Sequence, residues 1–103
     1  MVELKDITEF DEFIKDEEEV LVDFYADWCG PCKMLGMVLE EYSSEHPNKK
    51  ILRVNSDNFG GLARKYRVVS IPALKVFKKG EIVREKQGFM RKEELEAFLG
   101  SEE

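Results

Sequence analysis

Hydrophobic and polar positions along this chain recur with a period that changes repeatedly, and each change marks an element. Thr8 reads as an N-cap, with Phe10, Phe13 and Ile14 at helical spacing behind it, so residues 8–16 predict a short amphipathic helix. The acidic run Asp16-Glu17-Glu18-Glu19 then reads as a solvated loop. Val20 to Ala26, VLVDFYA, is a near-continuous apolar run rich in β-formers, the pattern of a strand covered on both faces. From Pro31 the period becomes helical: Met34, Leu35, Val38, Leu39 and Tyr42 form one stripe, reaching to about Glu45. Pro31 suits a first helical turn, and His46-Pro47-Asn48 ends the helix. Ile51 to Asn55, ILRVN, predicts a second strand, and Asp57 or Asn58 can cap a short helix carrying Leu62, Ala63 and Tyr66. Leu74–Phe77 and Ile82–Lys86 flank Lys78-Lys79-Gly80-Glu81, which reads as a hairpin turn. Leu95, Phe98 and Leu99 predict a final amphipathic helix.

With Val2–Lys5 as a first edge strand, the order is β-α-β-α-β-α-β-β-α. That alternation predicts an α/β protein with a central mixed sheet flanked by helices on both faces, in a single domain over residues 1–103.

Composition narrows the function classes. Seven Phe, three Tyr and 43 % hydrophobic residues in 103 supply a sizeable core. A net charge of −6 without a basic stripe argues against nucleic acid or an anionic membrane as partner. No apolar run approaches the roughly 18 residues of a membrane span. Met1-Val2-Glu3-Leu4-Lys5-Asp6 does not read as a signal peptide, and Gly100-Ser101-Glu102-Glu103 matches no retention or lipidation signal. The expectation is a cytoplasmic chain, a setting where a lone cysteine pair is catalytic or metal-binding more often than structural.

Both cysteines lie in Asp27-Trp28-Cys29-Gly30-Pro31-Cys32-Lys33, where the covered strand gives way to the long helix. In open α/β sheets that carboxyl edge is where chemistry tends to sit. A zinc site needs four ligands; the chain has one His and no further Cys, and His46 lies about 20 Å along the same helix from Cys32. A structural staple closing so short a loop contributes only about 2 kcal/mol in the chain-entropy account. The redox reading fits the local physics better. Cys29 falls at the N-cap edge, where free N–H groups and the positive end of the helix dipole favour a thiolate. Cys32 follows one turn later on the same side, within reach. This predicts an exposed attacking sulfur at Cys29 and a shielded second sulfur at Cys32. Gly30 lets a substrate backbone approach closely, and Pro31 fixes the turn. Asp23 interrupts an apolar strand and has two readings: a carboxylate at a poorly covered strand position, or a buried one whose pKa is raised, which suits a proton acceptor for Cys32.

VDFYADWCGPCKM at positions 22–34 resembles the active-site signature of the thioredoxin family, and SIP at 70–72, VFKKGE at 76–81 and QG at 87–88 fall at the family's spacings. The resemblance covers almost the whole chain. It implies the thioredoxin fold and a general protein disulfide reductase that needs no cofactor. Cys29 would attack a target disulfide, and Cys32 would resolve the mixed disulfide, leaving a Cys29–Cys32 disulfide. Asp23 matches the family's buried aspartate. A thioredoxin reductase would restore the dithiol, with disulfide-containing proteins as targets and a monomer as the default state. Pro72 after Ile71 matches the family's cis-proline facing the cysteines. Trp28, Gly30, Pro31, Ile71, Pro72 and Gly88 would form the shallow apolar surface that receives substrate.

Four departures accompany the likeness. Gly36-Met37 stands where the family commonly has a helix-kinking proline, so the helix either bends at Gly36 or runs straighter. Arg53 replaces a common lysine near the buried aspartate; it either holds Asp23 ionised or points outward. Phe89 occupies a usually small position and Ser56 a usually apolar one. Two other functions are compatible with the fold: a disulfide oxidase or isomerase, and a binding subunit of a larger assembly. The Gly-Pro between the cysteines resembles the reducing members, whereas oxidising relatives often carry Pro-His or Gly-His.

Overall fold

The computed structural model describes residues 1–100; the last three residues of the Gly100-Ser101-Glu102-Glu103 segment lie outside them. Five strands form one mixed sheet in the order β1-β3-β2-β4-β5. β2 (Val20–Tyr25) is its centre, parallel to β3 (Lys50–Asn55) and antiparallel to β4 (Ala73–Lys78). β1 (Val2–Glu3) pairs parallel with β3 at one edge, and β5 (Glu81–Gln87) pairs antiparallel with β4 at the other. The apolar run of β2 follows from this place, with strands on both sides and helices over both faces.

Alternation along the strands sorts side chains into two layers. Val20, Val22 and Phe24 point with Leu52, Val54 and Phe77 toward α1 (Phe10–Ile14) and α3 (Gly60–Lys65). Leu21, Ile51, Leu74 and Val76 point the other way, under α2 (Gly30–Glu45) and α4 (Lys92–Phe98). Leu35 and Leu39 of α2 and Leu95 of α4 are fully buried there; truncating one such leucine to alanine costs about 2–5 kcal/mol. Asp23 belongs to this second layer, two residues beyond Leu21 on the same face.

The β4–β5 hairpin turns through Lys79 and Gly80, at φ 54° and 83°, the positive pair a two-residue turn of this hand requires. The N–H groups of Lys79 and Gly80 donate to the carbonyls of Asp16 and Ile14 at 2.8 Å, fastening the hairpin to the end of α1.

Several local expectations are corrected. The first helix opens as a 3₁₀ turn over Ile7–Glu9 before α1, and Asp6 is its cap, accepting from the Thr8 N–H at 2.9 Å; Thr8 lies inside the turn. Neither Asp57 nor Asn58 caps α3. Instead Asn55, at the end of β3, accepts from both of their N–H groups, and Phe59 precedes the helix. The acidic loop is not simply solvated: Asp16 pairs with Lys50, and Arg84 clasps both carboxylate oxygens of Glu19 at 2.6 and 3.2 Å. α2 runs unbroken through Gly36 to Glu45, with His46 as its C-cap.

Candidate active site

The carboxyl end of β2 delivers the chain through Ala26–Trp28 into α2, and Cys29 is the helix N-cap. Its Sγ accepts the Cys32 N–H at 3.2 Å. The side chain therefore meets one of the unpaired donors at the positive end of a 16-residue helix. Cys29 and Cys32 are joined as a disulfide with their Cα atoms 5.2 Å apart. Ala26 and both sulfurs form a small apolar cluster against Tyr25 and Ile71.

The exposed Cys29 anticipated from sequence needs correction. It is only 5 % accessible against 1 % for Cys32, because its sulfur is turned toward its partner and lies 3.9 Å from the Ile71 carbonyl oxygen. The order of accessibility is kept, by a small margin.

Opposite the pair, Ile71–Pro72 is a cis peptide, as the family likeness implied. Pro72 is buried and Ile71 half-buried. The Pro72 carbonyl accepts the Gly88 N–H at 2.8 Å, and Gly88 sits at φ +95°, a conformation that L side chains rarely adopt. This bond joins the SIP and QG segments into one wall. Around it Trp28 is 72 % exposed, with Gly30 and Pro31 also open to solvent. The indole is not loose: its Nε1 donates to Asp57 Oδ2 at 2.9 Å. Met34, Met37, Val69 and Phe89 are further exposed apolar residues, Met34 and Met37 on the early turns of α2 and Phe89 next to Gly88.

Asp23 is wholly buried beneath α2. Burial pushes its carboxyl up to about 6, against the pull of Arg53. The alternative that Arg53 points outward does not hold: its Nε donates to Asp23 Oδ2 at 3.0 Å. Asp23 Oδ1 has no hydrogen-bond partner among the described residues.

Two contributors escaped the sequence reading. Tyr25 lies under Arg53, whose guanidinium carbon is 3.9 Å from the ring centroid, and its hydroxyl donates to Glu3 at 2.5 Å. Asp57, read as a helix cap, instead holds Trp28. The only signal for either was position: Tyr25 two residues beyond Asp23 on the same strand face, and Asp57 in the loop after the neighbouring parallel strand.

The arrangement brings two sulfurs into bonding reach at a helix N-terminus, with exposed apolar residues around them and a buried acid on β2. Comparison with known proteins agrees. The thioredoxin family profile, described as Thioredoxin, matches residues 1–101. The chain is 49 % identical to the thioredoxin of Bacillus subtilis over 84 residues, covering 81 % of each. It is 50 % identical to that of Staphylococcus epidermidis over 80 residues, covering 77 % of each. In structure it is similar to oxidised mitochondrial thioredoxin 3 of Saccharomyces cerevisiae, with a TM-score of 0.83 at 26 % identity over 95 % of this chain and 92 % of that one. With its redox-active cysteine pair, this chain belongs to the thioredoxin family of protein-disulfide oxidoreductases.

Proposed function

We propose that the chain reduces disulfides of target proteins in two exchange steps, with Cys29 attacking and Cys32 resolving. The observation that carries this assignment is the Cys32 N–H aimed at Cys29 Sγ at the start of α2. A thiolate at Cys29 is stabilised by that donor and by the helix dipole; Cys32 Sγ receives no hydrogen bond among the described residues.

In the first step the Cys29 thiolate bonds to one sulfur of the target disulfide. The target S–S bond breaks, and the released sulfur departs as a thiolate and takes a proton from water. In the second step the Cys32 thiol gives its proton to Asp23, and its sulfur bonds to Cys29 Sγ. The mixed disulfide breaks, and the second target sulfur leaves and is protonated. Two electrons have then passed to the target, and Cys29–Cys32 is left as a disulfide. The titration of Asp23 near pH 6 supports its part, since a proton acceptor works best close to the ambient pH. No cofactor takes part, because the electrons travel on the sulfurs. A thioredoxin reductase resets the pair.

Trp28, Gly30, Pro31, Ile71, Pro72 and Gly88 receive the target strand. Gly30 supports this: a Cβ there meets nothing within 4 Å, so the protein's own packing does not require glycine. An approaching backbone does. The partners are disulfide-containing proteins rather than nucleic acid or a membrane, the working form is a monomer, and the setting is the cytoplasm, where a lone cysteine pair stays free to cycle.

Insulin reduction driven by dithiothreitol tests the reading, together with the redox potential of the pair. We expect precipitation of the insulin B chain well above background and a reducing potential. A strongly oxidising potential points to the oxidase reading, and no turnover with binding retained points to an assembly subunit.

A further inference from the structure

Arg53 stands in one cross-strand row with two acids: it is paired with Glu3 on β1 and with Asp23 on β2. Its guanidinium engages only the second. Two neighbours account for that choice. Gly36 of α2 leaves a notch, in which an added Cβ would come within 3.1 Å of Arg53 Nη1. Tyr25 supplies a flat support 3.9 Å beneath the guanidinium, while its hydroxyl occupies the Glu3 carboxylate that would otherwise compete.

We infer that Arg53 is a positioning residue for Asp23, seated by Gly36 and Tyr25 so that Oδ2 is held and Oδ1 is left as the acid's proton site. A lysine could supply the charge but neither the flat stack nor the directed Nε–H. The seat makes a mobile surface cation into a fixed part of the buried acid. Arg53 is also the member of the pair that reaches solvent, its side chain being 18 % accessible while that of Asp23 is 0 %. The inference deepens the proposed role of Asp23 and rests on it for the effect on turnover.

The groups around Asp23 are few. β1 contributes Glu3, whose charge raises the acid's pKa; β3 contributes Arg53, which lowers it; β2 contributes Tyr25. β4 places the apolar Leu74 directly across, and α2 brings Gly36 and, in the proposed reaction, Cys32, which is held as a disulfide in the oxidised chain and titrates only when reduced.

Asp23 can be followed by its carboxyl-carbon resonance in the oxidised chain, without substrate. Arg53→Met is expected to raise the titration midpoint by about one pH unit, with Arg53→Lys intermediate. Gly36→Ala and Tyr25→Leu should move it the same way by about a few tenths, although both keep Arg53. Gly36→Ala is the decisive variant. Alanine is the better helix former but its Cβ presses on Arg53 at 3.1 Å, so the melting temperature can move either way, and a role in packing alone predicts only that the titration stays unmoved. The pH profile for resolution of the mixed disulfide should follow each midpoint. An unmoved midpoint in Arg53→Met overturns the inference, and Arg53→Lys serves the same test if the methionine variant does not fold. Wild-type titration in both Gly36→Ala and Tyr25→Leu removes the seat. Shifted midpoints in a chain that fails to reduce insulin would sink the proposed function and leave the seat standing.

Discussion

The indole of Trp28 donates to the carboxylate of Asp57 at 2.9 Å while its ring lies 72 % exposed beside the redox pair. An aromatic face is thus offered to solvent in a fixed orientation, joining the loops after two neighbouring parallel strands. Trp28 is the chain's one tryptophan, so its fluorescence reports on this bond. Asp57→Ala should lower the fluorescence anisotropy, change stability by less than about 0.5 kcal/mol and slow insulin reduction several-fold. Unchanged anisotropy would mean that packing, not Asp57, holds the ring.

Asp23 makes the fold pH-dependent. Its folded pKa of about 6 lies above the ordinary 3.8, so between those values the native state holds more protons than the unfolded one. Stability from this group therefore falls as pH rises from about 4 to 6, and the full penalty is present above. A shift of about two units corresponds to roughly 3 kcal/mol. Asp23→Asn should be more stable than wild type at pH 7 by about that amount and nearly equal at pH 3.5. Urea unfolding at the two pH values checks the sign; an Asn variant less stable at pH 7 would contradict it.

The two sulfurs are distinguishable by trapping. Cys32→Ser should accumulate a mixed disulfide with insulin chains through Cys29, seen as an adduct by mass spectrometry. Cys29→Ser should accumulate at least about tenfold less under the same conditions, because Cys32 is 1 % accessible and lacks the N-cap position. Equal trapping would reverse or erase the assignment of attacker and resolver.

Two glycines separate folding from recognition. Gly88 at φ +95° should resist substitution for backbone reasons alone, since a Cβ there touches nothing within 4 Å. Gly88→Ala should cost about 1–2 kcal/mol. Gly30→Ala should keep or raise stability, by up to about 1 kcal/mol, yet slow reduction of a protein disulfide more than that of a small aromatic disulfide. Equal slowing of both substrates would argue against close backbone approach at Gly30.

What could be read from the sequence follows the range of the interactions. The β2 run, the α2 stripe and the Lys79-Gly80 turn each express a local or one-layer constraint and lie where the pattern put them, with one exception. Met34, read as part of the α2 stripe, is 53 % exposed because the start of α2 projects past the sheet edge, leaving Leu35, Leu39 and Tyr42 as the buried face. Helix caps were misplaced because Asp6, Thr8, Asn55, Asp57 and Asn58 are chemically interchangeable cap formers. Backbone entry angles choose among them. The cysteine pair was legible because a CxxC spacing is a rare pattern; the burial of Asp23 was left open by its strand and came from the resemblance. The grip of Arg53 on Asp23 was legible only through the resemblance, as one of two alternatives it left open. The two residues are 30 positions apart, and a pairing set by β2–β3 register leaves no mark in the sequence near either one.

The sheet divides the interior into two apolar layers that share no side chain. Changes in one layer should therefore combine with changes in the other as nearly independent increments. Asp23 and the helix that carries the cysteines belong to the α2–α4 side. The α1–α3 side is thus the half in which homologues can drift, or an engineer can rebuild the packing, while the electron-carrying half stays as it is.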